Sequence, residues 1–156
     1  MAKEIERKFL VQGDFESYAT ESHHIVQGYI AGSDNLTVRV RLLDEQGFLT
    51  IKGRSDSSGL ERDEWEWEIA PDEARSLLHF SHGTIDKRRY IVPYEGHTFE
   101  VDRFHGANEG LVMAELELSS RDEEFARPTW LGEELTGDVR YYNLQLLKNP
   151  YTTWKK

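Results

Sequence analysis

The stretch Leu36-Thr-Val-Arg-Val-Arg-Leu-Leu43 alternates apolar and polar side chains over nearly its whole length. Successive side chains of an extended strand point to opposite faces, so Thr37, Arg39 and Arg41 share one face and the apolar residues share the other. The two arginines are then neighbours in space. This pattern predicts a β-strand with one buried apolar face and one cationic face.

Similar period-two spacing runs along most of the chain and predicts eight strands. They are Lys3–Leu10, His23–Ala31, Leu36–Leu43, Phe48–Arg54, Leu60–Ala70, Gly83–Pro93, His97–Phe104 and Leu111–Ser119. The connections Gly32–Asn35, Glu45–Gly47, Ser55–Gly59 and Glu95–Gly96 are rich in residues that tolerate positive φ. We therefore expect a mainly β fold built from antiparallel hairpins.

Helical segments are predicted to flank these strands. They are Asp14–Ala19, a helix opened by Pro71-Asp-Glu, Asp122–Leu131 and Tyr141–Leu147. Proline at a first helical position followed by acids is a favourable start. The chain has no internal repeat, low-complexity tract or long Pro, Gly or Ser linker, so residues 1–156 are expected to form a single α+β domain.

Charged side chains share one face of most predicted strands. The sets are Glu4, Glu6 and Lys8; Lys52, which shares its face with the neutral Thr50; Arg62, Glu64, Glu66 and Glu68; Lys87 and Arg89; Glu100 and Asp102; Glu115 and Glu117. One explanation is an antiparallel sheet with a single wet face. However, the charges cluster by sign within strands, and the opposite faces carry large apolar residues; Trp65 and Trp67, for example, are predicted to pack outside against a helix. An eight-stranded closed antiparallel β-barrel with a polar interior satisfies both facts.

Composition excludes several classes of protein. The chain has 19 Lys plus Arg against 29 Asp plus Glu, a formal charge of −10, which argues against nonspecific nucleic-acid binding. It has no cysteine, which removes disulfides and thiolate metal sites and suits a reducing compartment. No window approaches the roughly 20 apolar residues that span a membrane, and the N-terminus is charged. A cytoplasmic protein that binds neither nucleic acid nor membrane is expected.

A barrel interior that carries both signs of charge needs ligands of both signs, because an unpaired buried ion costs several kcal/mol. Arg and Lys suit phosphate oxygens. Glu and Asp suit Mg²⁺ or Mn²⁺. The interior is therefore consistent with a phosphate chain and its divalent cation, and the alternative is internal ion pairing between neighbouring strands.

The N-terminal stretch Glu4-Ile-Glu6-Arg-Lys8 resembles the ExExK signature of the CYTH superfamily, the triphosphate tunnel metalloenzymes. Further stretches resemble the family in the same order: Gln27-Gly-Tyr29-Ile, Val38-Arg39-Val-Arg41, Thr50-Ile-Lys52, Arg62-Asp-Glu64-Trp-Glu66, Asp86-Lys87-Arg-Arg89-Tyr90, Phe99-Glu100-Val-Asp102, Glu115-Leu-Glu117 and Arg140-Tyr-Tyr-Asn143. The resemblance covers nearly the whole chain. It implies an eight-stranded antiparallel tunnel and a metal-dependent attack on a triphosphate.

The resemblance also implies roles for individual residues. The metal-binding carboxylates would be Glu4, Glu6, Glu115 and Glu117, with Glu64, Glu66 and Asp102 serving a second metal or its waters. The phosphate-binding cations would be Lys8, Arg39, Arg41, Lys52, Lys87 and Arg89, with Arg62 in addition. Tyr29 beside Lys8 resembles a pair that holds and helps to deprotonate the attacking water, since a lysine among cations has a lowered pKa. The alternative for Tyr29 is an aromatic residue that closes one end of the tunnel.

The resemblance to short bacterial members implies hydrolysis of the terminal phosphate of inorganic tripolyphosphate, with Mg²⁺ or Mn²⁺ as cofactor. The family also contains adenylyl cyclases and thiamine triphosphatases, so an organic triphosphate is an alternative substrate. A noncatalytic module that binds polyphosphate or a nucleotide is an alternative of another class. The resemblance is also compatible with a homodimer.

Overall fold

The computed structural model describes residues 2–33 and 35–154 of the chain. Asp34, in the predicted turn Gly32–Asn35, lies outside the described residues. The strands are β1 (Ala2–Val11), β2 (Glu21–Gly32), β3 (Leu36–Leu43), β4 (Gln46–Gly53), β5 (Glu61–Ile69), β6 (Ile85–Tyr94), β7 (His97–Phe104), β8 (Val112–Glu117) and β9 (Leu131–Glu134). The helices are α1 (Pro71–Leu78) and α2 (Asn143–Lys148), with 3-10 turns at Glu16–Tyr18, Gly106–Asn108, Val139–Tyr141 and Tyr151–Thr153.

Eight of the strands close into an antiparallel barrel in the order β5-β4-β3-β2-β6-β7-β8-β1. Closure is made by β1, whose residues 2–5 pair with residues 61–64 of β5, while residues 6–10 pair with β8. The short strand β9 pairs with the second half of β1 at Phe9 and Val11. The predicted closed eight-stranded barrel is confirmed, and β9 is an addition to it.

The apolar faces of the strands point away from the barrel interior. One buried cluster, which includes Phe9, Phe99 and Leu116, packs against Trp130 from the segment that precedes β9. A second cluster joins Phe104 and Met113 to Tyr141 and Leu146 near the C-terminus. These clusters leave the opposite strand faces to line the interior.

The predicted helix Asp122–Leu131 is wrong, because this segment is an irregular stretch followed by β9. Pro128 has no backbone N–H and disfavours helical geometry at the residue before it. Instead the segment lies across the barrel, where the ring of Phe125 packs edge-on against Phe9 and Phe99 and that of Trp130 packs edge-on against Phe99. Burial of aromatic surface determines its course more strongly than local helical preference.

The predicted turn Glu45–Gly47 is displaced. The turn lies at Asp44 and Glu45, with φ of 52° at Asp44, and Gln46 already belongs to β4. Gly47 serves a different purpose, because a Cβ placed on it would lie 2.9 Å from the Ala74 Cβ of α1. The glycine therefore permits close packing of α1 on the outside of the barrel.

The helix α1 begins at Pro71, as predicted, and packs against β2, β3 and β4. Trp65 and Trp67 lie outside the interior, but Trp67 is 49% exposed, so the prediction that a helix covers it is wrong. The predicted segments Asp14–Ala19 and Tyr141–Leu147 contain a 3-10 turn and the helix α2, respectively. Within the described residues no helix is both long and apolar enough to cross a membrane.

Candidate active site

The barrel encloses a cavity of about 510 Å³. Its wall consists of inward-facing residues of the eight strands, and further lining comes from the β4–β5 loop and from residues 137–148 near the C-terminus. Leu144 of α2 lies so close to β2 that a Cβ on Gly32 would be 2.8 Å from its Cδ2. Every predicted site residue lines this cavity except Asp102, which is buried in the wall.

The charges of the cavity separate into two arcs of adjacent strands. The acidic arc is β7, β8, β1 and β5, which carry Glu100, Glu115, Glu117, Glu4, Glu6, Glu64 and Glu66, with Asp102 of β7 buried in the wall. The basic arc is β6, β2, β3 and β4, which carry Lys87, Arg89, Arg39, Arg41 and Lys52. Among the described residues that line the cavity, Lys8 and Arg62 are the cations of the acidic arc. An acidic wall and a basic wall thus face one space.

Lys8 lies between two carboxylates of the acidic arc. Its Nζ is 2.9 Å from Glu115 Oε2 and 3.2 Å from Glu6 Oε1. Burial opposes the charge of Lys8, but Glu115 and Glu6 outweigh burial and raise its pKa above the ordinary value. The expectation of a lowered pKa at Lys8 is therefore wrong for this structure, and Lys8 is a protonated hydrogen-bond donor.

Glu4 is held by two cations. Lys52 Nζ is 3.0 Å from each Glu4 carboxylate oxygen and 3.4 Å from Glu64 Oε2, and Arg62 Nε is 3.3 Å from Glu4 Oε1. Burial opposes ionisation of Glu4, but Lys52 and Arg62 outweigh it and lower its pKa to about 2. Glu4 is consequently a fully charged carboxylate near neutral pH.

Arg89 and Lys87 share the buried carboxylate of Asp102. Arg89 donates through Nε and Nη2 to the two Asp102 oxygens at 2.8 Å each, and Lys87 Nζ lies 2.8 Å from Oδ2. Arg89 Nη2 also reaches Glu115 Oε1 at 3.2 Å. With both oxygens engaged, Asp102 orients two cations of the basic arc.

Arg39 and Arg41 stand side by side on β3, as the strand pattern predicts. Their Nη2 atoms are 3.8 Å and 3.5 Å from Glu66 Oε2, and that oxygen also accepts a 2.7 Å hydrogen bond from Thr50. The Nε atoms of both arginines are buried without a hydrogen-bond partner among the described residues. Burial and the charges of Arg39 and Arg89 lower the pKa of Arg41 to about 10. Positive charge therefore exceeds negative charge around Arg39 and Arg41.

Carboxylates of the acidic arc crowd one another. Burial and the neighbouring Glu115 raise the pKa of Glu6 to about 8, and burial together with Glu4 and Glu64 raises that of Glu117. A divalent cation would relieve this repulsion, and carboxylate oxygens are the ligands that Mg²⁺ and Mn²⁺ prefer. The donor set thus fits such an ion. In the described ranges, however, no three His, Cys, Asp or Glu side chains are arranged to hold a metal, because the carboxylates contact Lys and Arg instead.

Tyr29 lines the same cavity as Lys8. The aromatic ring near Lys8 is that of Tyr142, whose centroid is 5.9 Å from Nζ. No hydrogen bond joins Tyr29 to Lys8 in the part of the chain that the structure describes. The proposed pairing of Tyr29 with Lys8 stays a prediction.

Residues near the C-terminus were missing from the predicted site. Tyr142, Asn143 and Lys148 line the cavity, and Asn143 Oδ1 accepts hydrogen bonds from Lys87 at 3.0 Å and from the buried Gln27 at 3.1 Å. The Arg140-Tyr-Tyr-Asn143 stretch was the available signal. Its contribution to the site depends on the chain returning to the barrel mouth, which strand periodicity does not predict.

A closed antiparallel barrel with acidic and basic walls around one cavity defines a tunnel protein of the class that the sequence resembles. The family described as CYTH domain matches residues 2–148, and the chain belongs to this family. An inorganic triphosphatase of Acetivibrio thermocellus is 45% identical over the full length of both chains. An inorganic triphosphatase of Nitrosomonas europaea is 36% identical, with 92% of this chain and 95% of that protein aligned.

Solved structures agree with this assignment. The crystal structure of an inorganic triphosphatase superposes with a TM-score of 0.67 at 32% identity, covering 92% of this chain and 96% of that one. A Hippeastrum protein, named an adenylyl cyclase with a dominant triphosphatase activity, has a TM-score of 0.60 at 18% identity, covering 75% of this chain and 80% of that one. The second comparison concerns the fold alone.

Proposed function

We propose that this protein hydrolyses the terminal phosphate of inorganic tripolyphosphate inside the barrel, with Mg²⁺ or Mn²⁺ as cofactor. The observation that carries the proposal is the separation of the cavity into an acidic and a basic arc. An anionic phosphate chain can lie along Arg39, Arg41, Lys52 and the cations of β6 while its metal lies against the opposite carboxylates. Full-length similarity to two inorganic triphosphatases supports the choice of substrate.

The carboxylates proposed to hold the metal are Glu4, Glu6, Glu115 and Glu117, with Glu64 and Glu66 within reach of a second ion. A divalent cation held there would supply positive charge beside the phosphate oxygens and would lower the pKa of water. Asp102 acts through its two cations, because both of its oxygens are engaged by Arg89 and Lys87.

The basic arc binds the phosphates and stabilises the negative charge of an in-line displacement. Lys8 lies between Glu6 and Glu115 and lines the cavity that would hold the substrate. Its raised pKa makes it a hydrogen-bond donor that orients the attacking water or the terminal phosphate. Tyr29 is the proposed partner in placing that water. Arg62, 3.3 Å from Glu4, helps Lys52 to keep this carboxylate ionised.

The test is a phosphate-release screen with tripolyphosphate, pyrophosphate, ATP and thiamine triphosphate, each with Mg²⁺ or Mn²⁺, and with cyclic AMP measured in parallel. We expect the highest kcat/KM with tripolyphosphate. Faster turnover of ATP or thiamine triphosphate would assign an organic substrate, and binding without turnover of any of the four would assign a noncatalytic module. A Glu115→Gln variant serves as the matched inactive control, because it keeps the side-chain shape and removes one carboxylate.

Two further expectations accompany the proposal. A cytoplasmic location is supported by the absence of cysteine from the sequence. A homodimer is testable by light scattering of the purified chain.

A further inference from the structure

Asn143, the first residue of α2, makes two hydrogen bonds that fix the orientation of its side chain. Its Oδ1 accepts from Lys87 Nζ at 3.0 Å and from Gln27 Nε2 at 3.1 Å. Lys87 is 1% exposed and Gln27 is fully buried, so both donors belong to the buried part of the barrel wall.

Chemistry determines which end of the amide faces these donors. A lysine ammonium has donors only, so the Asn143 atom beside Lys87 is the oxygen and not the nitrogen. The planar amide then directs Nδ2 away from Lys87. Asn143 lines the cavity, whereas Gln27 does not. Among the described residues no acceptor takes a hydrogen bond from Asn143 Nδ2.

We infer that Asn143 is a further substrate-binding residue, whose Nδ2 donates a hydrogen bond to an oxygen of the phosphate chain. The inference rests on the proposed function. Phosphate oxygens are acceptors, and the neighbouring Lys87 and Arg89 belong to the basic arc, so the phosphate chain is the ligand that matches this donor. The amide oxygen is already used twice, which makes Asn143 unsuited to bind the metal.

Two substitutions separate substrate binding from a purely structural role. Asn143→Asp keeps an oxygen for Lys87 and Gln27 but replaces the donor with a second, negatively charged oxygen. Asn143→Ala removes both functions. We expect KM for tripolyphosphate to rise about tenfold in Asn143→Ala and about a hundredfold or more in Asn143→Asp. If Asn143 only positions Lys87, the order of the two KM values reverses, and the KM of Asn143→Asp stays close to that of wild type.

A Gln27→Met variant is the matched control, because it removes one hydrogen bond to Oδ1 from outside the cavity and leaves Nδ2 in place. Its KM should stay within about threefold of wild type, whereas donors to charged acceptors account for larger changes. A rise in KM equal to that of Asn143→Ala would overturn the inference, because the effect would then come from the position of the Asn143 side chain and not from a hydrogen bond of Nδ2 to the substrate. Melting temperatures of the three variants verify that each one folds.

A measurement on the wild-type chain does not depend on the folding of any variant. In EDTA, titration with inorganic tripolyphosphate should shift the side-chain amide ¹⁵N–¹H signals of Asn143 much more than those of Gln27. Unchanged Asn143 signals, with shifts at backbone amides of β3 and β4, would refute the contact while leaving triphosphate binding intact. If tripolyphosphate binds but is never hydrolysed by wild type, the proposed function fails and the contact at Asn143 is still tested.

Discussion

Replacement of Arg41 by Met should stabilise the ligand-free protein and weaken its binding of tripolyphosphate. Arg41 lies beside Arg39 and close to Arg89, and its burial and these charges lower its pKa to about 10. A depressed pKa on a base means that the fold disfavours the charged form. This cost is present at every pH below about 10 and is relieved as the pH rises through that value. At neutral pH it is therefore fully present.

The magnitude follows from these contacts. The depression of the Arg41 pKa corresponds to about 3 kcal/mol. Methionine keeps an apolar stem in place of the aliphatic part of arginine. The variant loses the contact of the guanidinium with the Phe48 ring, 5.5 Å away, which is worth about 1 kcal/mol. Glu66 keeps Thr50 and Arg39 as partners. The net expectation is a gain of about 1–2 kcal/mol in the free energy of unfolding.

Binding should change in the opposite direction. Loss of one charge-assisted contact to phosphate is worth about 1.5–3 kcal/mol, so the Kd for tripolyphosphate should rise by roughly one to two decades. Urea unfolding followed by tryptophan fluorescence in EDTA measures stability, and calorimetric titration measures binding. Arg88→Met on the outer face of β6 is the matched control and should change neither. An Arg41→Met protein that is less stable than wild type and binds with unchanged affinity would refute the reasoning.

Three further predictions concern the metal, Lys8 and one glycine. EDTA treatment should abolish hydrolysis and Mg²⁺ should restore it, because the crowded carboxylates need a cation; turnover that is equally fast in EDTA would contradict this. Lys8→Met should lower kcat by about a hundredfold or more, with a smaller change in KM, because a preorganised donor acts chiefly in the transition state; raised KM at unchanged kcat would make Lys8 only a phosphate ligand. Gly137→Ala should lower the free energy of unfolding in urea by about 1–3 kcal/mol, because φ is 84° and the new Cβ would lie 2.8 Å from Ser58 O. The control Gly13→Ala has a similar φ of 83° but lies in open space, so it should be less destabilising. An equal loss of stability in both variants would show that the Ser58 contact is unimportant.

The barrel could be predicted from the sequence because the alternation of apolar and charged residues is a local property of each strand. Alternation in stretches such as Leu36–Leu43 places Arg39 and Arg41 on one face whatever the neighbouring strands are, and these side chains do face the cavity. Sequence parity also predicted inward Glu4, Glu6 and Lys8. It could not predict which strands become neighbours, so the division into an acidic and a basic arc emerges only from the strand order.

The errors have the same physical origin. Lys8 was expected among cations, but strand order places it between Glu6 and Glu115, so its pKa is raised and not lowered. The segment Asp122–Leu131 was expected to be helical, but its Trp130 is buried, and its Phe125 partly buried, against a sheet that is distant in sequence. Asn143 was overlooked because its partners Gln27 and Lys87 are brought together only by the tertiary fold.

The ion pairs of the ligand-free cavity explain how a charged interior can fold and still bind a highly charged substrate. Lys52 forms an ion pair with Glu4, and Arg89 forms one with Glu115, so these pairs link the basic arc to the acidic arc where the two arcs meet. Such pairs reduce the cost of burying each ion before any ligand enters. If a metal and a phosphate chain bind together as proposed, the carboxylates would exchange ammonium or guanidinium partners for the metal, and the cations would exchange carboxylates for phosphate oxygens. Since each side chain would keep an oppositely charged partner and is already largely desolvated, binding would require an exchange of partners and little further desolvation of the protein's own charged groups. Metal or tripolyphosphate alone would leave one arc without its partners, so each ligand should increase the affinity of the protein for the other.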